Sequence, residues 1–146
     1  MDRPYITVND AERARLKALV ERLSDEQLSR PMPAGWTVAG VLAHMAFWDA
    51  RVLYYLDRWA AGAAPSKDDW EPEDVDWIND SAKPLCLALP PRTAAQLALQ
   101  TAEETDRRVA ELPDAIIEQL VAVGEPVRLA RADHRKEHLD EIERYV

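Results

Sequence analysis

Apolar residues recur along this chain at three- and four-residue intervals, the period that lines one face of an α-helix. The first such stretch is AERARLKALVERL, with Leu16, Leu19, Val20 and Leu23 on one side and Asn9 or Asp10 placed to cap its start. A turn-like SRPMPAGW follows. Thr37 is then placed to cap the longest stretch, VAGVLAHMAFWDARVLYYLDRWA, whose apolar stripe is Val38, Val41, Leu42, Met45, Leu53 and Leu56. Gly62 and Pro65 end it, and APSKDDWEPED reads as an exposed acidic loop. Pro72 suits the first position of a short helix through EDVDWINDSA. After LPPRT, Thr93 is placed to cap AAQLALQTAEETDRRVAEL, which Pro113 stops, and DAIIEQLV forms a short helical piece. Gly124 and Pro126 then mark the end of that piece and the start of the last helix. Only LCLAL is a candidate strand, and it is brief. The pattern predicts an all-α chain. Four main helices with short connections predict a four-helix bundle, with a short extra helix between the second and third long ones.

Composition sets the class. A chain of 146 residues, 47% hydrophobic and 31% charged, has the length and balance of one soluble globular domain spanning residues 1–146. Its net charge of −9 argues against nucleic acid as a partner, because phosphate contacts need clustered Lys and Arg. One cysteine excludes an internal disulfide framework and makes a reducing cytoplasm the expected compartment. No apolar h-region opens the chain and no apolar run is long enough to span a membrane, so no membrane role is expected.

The candidate chemistry lies in the histidines. The chain has three, and two of them, His134 and His138, stand four residues apart in ADHRKEHLDEIERYV. On a helix that spacing stacks two side chains with Cβ atoms about 5–6 Å apart. Two imidazoles so placed can converge on one metal ion. Arg135 follows His134, so the HExxH pattern of metalloproteases is absent. At roughly 100° per residue the pair shares a strip with Ile142 and Tyr145, beside the apolar side of Leu139, Ile142 and Val146. His44 lies on the flank of its own stripe, in file with Trp48, Arg51 and Tyr55. A third imidazole from a facing helix completes a three-His set with coordination positions left open, as catalytic sites require. The plain alternative is three hydrogen-bonded histidines at the edge of a core.

The segment GWTVAGVLAHMAFWDARVL resembles the second helix of the DinB/YfiT-like superfamily, where W-[ST]-x3-V-L-x-H-[LM]-x-x-W is familiar. DVDWIND resembles the acidic stretch that often follows, and DHRKEHLDEIE the terminal helix with its HxxxH pair. The resemblance covers nearly the whole chain in order. It implies a four-helix bundle, often a homodimer, with a divalent metal held by His44, His134 and His138. Imidazoles suit Zn, Ni or Fe, so the metal stays open. The resemblance also implies a small-molecule substrate. Some relatives are transferases or isomerases that use a low-molecular-weight thiol such as mycothiol or bacillithiol, among them the maleylpyruvate isomerase N-terminal domain. Another branch hydrolyses a reactive small molecule. A metal-dependent thiol transferase is the leading expectation. A metal-dependent hydrolase, or a non-catalytic binding or dimerisation module with a structural or vestigial metal site, are the alternatives.

Other residues invite supporting roles. Asp49 and Glu137 adjoin the candidate ligands and could orient an imidazole. The alternative for each is a solvated carboxylate or local ion pair. Trp48, Tyr55 and Tyr145 could wall an apolar pocket, or could simply be core. Arg51 could meet an anionic substrate or form a surface salt bridge. Cys86, among apolar neighbours, reads as a small buried hydrophobe. The run KDDWEPEDVD lacks the ligand spacing of an EF-hand and reads as a solvated loop.

Overall fold

The computed structural model describes residues 1–69 and 75–146. Among them are seven α-helices, α1 (Tyr5–Arg22), α2 (Asp25–Leu28), α3 (Val38–Ala60), α4 (Asp76–Ala88), α5 (Pro91–Ala110), α6 (Asp114–Ala122) and α7 (Ala132–Glu143), and two 3-10 turns, Pro33–Gly35 and Lys67–Asp69. No strand occurs among the described residues beyond an isolated bridge between Pro31 and Thr37. The long helices α1, α3, α5 and α7 pack in a cycle, with α1 against α5 and α7, and α3 against the same two. Helix α4 lies on α3. None of these helices is long and apolar enough to cross a membrane.

Local chemistry starts several helices as the sequence requires. Thr37 Oγ1 accepts the Gly40 N–H at 3.0 Å and caps α3. Ser24 and Gln27 form a reciprocal capping box that supports the one turn of α2. Arg92 donates to the carbonyls of Val20 and Leu23, satisfying the open C-terminal end of α1.

Several expectations are corrected. Helix α1 begins at Tyr5, so Asn9 lies inside it, 1% exposed, and caps a different helix. Thr93 lies in the first turn of α5, which begins at Pro91; no side chain caps it, and Pro91 presets the helical φ instead. The stretch LCLAL is no strand. Leu85, Cys86, Leu87 and Ala88 end α4, which runs through Pro84. Helix α7 starts at Ala132 rather than at Pro126, because Val127 and Leu129 are buried in an irregular segment before it. The start expected at Pro72 lies outside the described residues, as does the 70–74 part of the acidic stretch.

Two apolar clusters fill the interior. One joins Leu16 and Leu19 of α1, Leu23 just after it, Leu42 and Met45 of α3, and Leu139 and Ile142 of α7 to a file of alanines on α5, Ala94, Ala95, Ala98 and Ala102. The small side chains on α5 let its backbone come close to its neighbours. The second cluster, with Val52, Leu56 and Trp59 of α3, lies under α6 and the segment before α7. Leu53, expected in the stripe, is only partly buried against it. Gly40 admits α4: a Cβ there would stand 2.8 Å from Leu87 Cδ2.

Candidate metal centre

Helix α3 presents His44 and α7 presents His134 and His138 to one cavity of about 870 Å³. Ring centroids lie 4.7 Å apart for His44 and His138, 5.3 Å for His44 and His134, and 4.5 Å for the α7 pair. Each ring offers a nitrogen within 4.8 Å of those of the other two. His134 and His138 turn the same atom, Nε2, toward each other at 3.0 Å. With a proton on one ring this is an N–H···N hydrogen bond. With both lone pairs turned in, it matches two ligand bonds of about 2.0–2.1 Å diverging from one ion at near-tetrahedral or right angles, about 2.9–3.4 Å apart.

Electrostatics favour neutral rings. Burial pushes the pKa of His44 down to about 4, helped by the nearby His138. His134 falls to about 2 through burial, then through the repulsion a proton there would meet from His138, Arg131, His44 and Arg135. His138 is also lowered by burial, against the opposing pull of Glu141 and Glu137. At neutral pH the three rings keep lone pairs free to ligate. His138 Nδ1 is buried without an aligned hydrogen-bond partner, although Glu141 Oε1 stands 3.4 Å away. The ligand spacing, the neutral nitrogens and a carboxylate beside the far side of one ring all fit a bound divalent cation.

The other candidate residues divide. Trp48 lines the cavity, edge-on to His44, and donates its indole N–H to Asn79 Oδ1 at 2.8 Å. Arg51 stacks on Trp48, 5.0 Å from the ring centroid, and does not line the cavity. Tyr55 packs beside Trp59 in the second apolar cluster, away from the histidines. Tyr145 lines a separate small cavity, because α7 ends at Glu143 and the helical phase that aligned Tyr145 with His138 stops there. Glu137 lines the histidine cavity as an exposed carboxylate with no hydrogen bond to a ring. Asp49, 3% exposed, is bonded to Arg131 and Arg135 rather than to an imidazole. Cys86 is buried and free, and burial pushes its thiol pKa up.

Sequence reasoning missed Glu141, Asn79, Trp36 and Arg131 as wall residues, and Arg135 as the buried group behind the rings. For Glu141 a signal was present, since it follows His138 at the i+3 helical spacing. Trp36 meets His44 edge-on at 5.7 Å. Arg135 was visible only as the residue that breaks HExxH.

The described residues form helices and gather three imidazoles from two of them at one cavity, the arrangement of a possible metal site. The chain belongs to the DinB superfamily, whose family model matches residues 9–141. No curated protein and no solved structure matches it.

Proposed function

We propose that this protein is a metal-dependent enzyme acting on a small molecule, with a divalent ion held by His44, His134 and His138. The observation that carries the reading is the meeting of three neutral imidazoles in a cavity of about 870 Å³. The pairwise packing of α1, α3, α5 and α7 supports reading them as the four-helix bundle of one domain, with the ligands on two of its helices. Three imidazoles bring no negative charge, so a divalent ion held there would retain its charge and lower the pKa of a thiol or water.

The chain's own residues do the rest. Glu141 stands 3.4 Å behind His138 Nδ1, close enough to steer that ring when it ligates. Trp48, held by Asn79, and Trp36 wall the cavity and exclude water beside His44. The cavity is near the upper end of the roughly 300–1,000 Å³ usual for small-molecule sites, room for a thiol cosubstrate beside an electrophile. That volume suits a hydrolase equally, so the choice of a thiol-dependent transferase rests on the family resemblance. The acidic net charge of −9 supports a small molecule rather than nucleic acid as partner. A cytoplasmic homodimer completes the reading.

Untagged protein should contain metal by elemental analysis, or take up about one Zn or Ni per chain after chelation. Loaded protein should then consume a model electrophile only when a low-molecular-weight thiol is supplied. Turnover without thiol would favour the hydrolase. Failure to take up metal would leave a non-catalytic helical module as the better description.

A further inference from the structure

The buried charges behind the imidazoles form one connected set. Asp49, five residues after His44 on α3, accepts from Arg131 Nε at 3.0 Å and from Arg135 Nη2 at 3.3 Å. Arg135 is forked onto Asp106 of α5 by contacts of 2.7 and 2.8 Å. Arg13 of α1 reaches the same Asp106 carboxylate at 2.7 Å. Arg135 is 1% exposed, and Asp49 and Asp106 are nearly as deeply buried. Helix α7 thus carries the two cavity imidazoles in one file and Arg135 in the adjoining file, and Arg131, which immediately precedes the helix, also reaches the cavity wall. The guanidiniums grip α3 and α5.

Such a set is a poor source of stability, because desolvating the charges offsets their attraction, and apolar replacements are often as stable. What it offers is direction. A forked guanidinium–carboxylate contact fixes angle and register, whereas apolar side chains tolerate sliding and rotation. His44 and Asp49 share α3, while their counterparts alternate along α7. Any rotation of α7 that moved the imidazoles off His44 would also break the contacts to Asp49 and Asp106.

We infer that Asp49 and Asp106, acting through Arg131 and Arg135, are positioning residues that fix the rotation and register of α7 so that the three imidazoles converge. The inference rests on the three-histidine site proposed above, yet its test runs on metal-free protein. In labelled, chelated protein, nuclear Overhauser cross-peaks should connect the His44 ring with those of His134 and His138. Asp49→Asn should lose these cross-peaks while remaining folded and helical. Asp69→Asn serves as the control. Asp69 is equally buried, bonds Trp59 and Ser66, and does not line the cavity. It should lower the melting temperature yet keep the ring contacts. If Asp49→Asn does not fold, Arg131→Lys, which keeps the charge but removes the Nε contact, is read the same way. Ring contacts that persist in the folded variant, or vanish equally in Asp69→Asn, overturn the positioning role. Zn titration of the parent protein separately decides the metal reading. If the parent binds Zn, Asp49→Asn should weaken it at least about tenfold.

Discussion

At the scale of the residue, the site depends on which nitrogen each imidazole turns inward. His138 has the most exacting position, with Nε2 facing His134 at 3.0 Å and Nδ1 beside Glu141. Replacing His138 by Ala removes a ligand and should abolish tight Zn binding, measured by competition with a chromophoric chelator. A variant binding Zn as tightly as the parent would contradict the three-histidine site. Glu141→Gln tests the neighbour. Losing the carboxylate behind a ligating ring costs roughly 10–100-fold in metal affinity, whereas Glu137→Gln, with no contact to a ring, should change little. Equal effects from both would assign Glu141 to bulk charge rather than to ring orientation. The pairing of His134 with His138 was legible in the sequence because an i, i+4 pair on one helix keeps its geometry whatever packs around it. For Tyr145 and Tyr55 the sequence left pocket wall and plain core both open, and neither lines the histidine cavity. Extrapolated helical phase fails where α7 stops at Glu143 and where α3 leaves the cavity to enter the second apolar cluster.

At the scale of the element, Asn9 shows what residue type can and cannot settle. Its amide is suited to capping, and it does cap, but the helix it serves is α7. Asn9 Oδ1 accepts the Ala132 N–H at 3.0 Å and its Nδ2 donates to the Leu129 carbonyl at 2.9 Å. The partner lies more than a hundred residues away, so no local pattern could name it. Thr37, whose partner is Gly40, was legible from its neighbours alone. The same distinction explains LCLAL. Five residues fit a strand or a helix turn equally, and tertiary packing, with Cys86 in the main apolar cluster and Leu87 over Gly40, goes with the helix of α4. Asn9→Ala would leave the Ala132 N–H and the Leu129 carbonyl buried without partners. The expected loss is about 1–3 kcal/mol in urea unfolding, and Zn affinity should weaken because the clamp lies at the start of the ligand-bearing helix. A loss below about 0.5 kcal/mol, the size of an ordinary surface substitution, would reject the clamp.

At the scale of the whole molecule, the sequence carried the helical class and the three histidines, while the buried charges tying α7 to α3 and α5 emerged only from tertiary packing. Placing three imidazoles in the interior makes stability depend on pH. In the unfolded chain each takes its proton near pH 6.5, whereas in the fold burial lowers His44 to about 4 and His134 to about 2. Between those limits the unfolded state binds more protons, so stability falls as pH falls. The contribution is intact above about pH 6.5 and is lost progressively below it. His44 alone accounts for on the order of 3 kcal/mol by the time pH nears its folded value. Unfolding followed with chelator present should therefore show a clear loss between pH 7 and pH 5. His44→Gln should reduce the slope, because one of the protons taken up on unfolding is gone. Zn should shift the acid limb to lower pH, because the ion competes with protons for the same nitrogens and binds only the folded chain. A chelated protein equally stable at pH 7 and pH 5 would mean that its imidazoles meet solvent, and the site would lose the neutral nitrogens on which its chemistry rests.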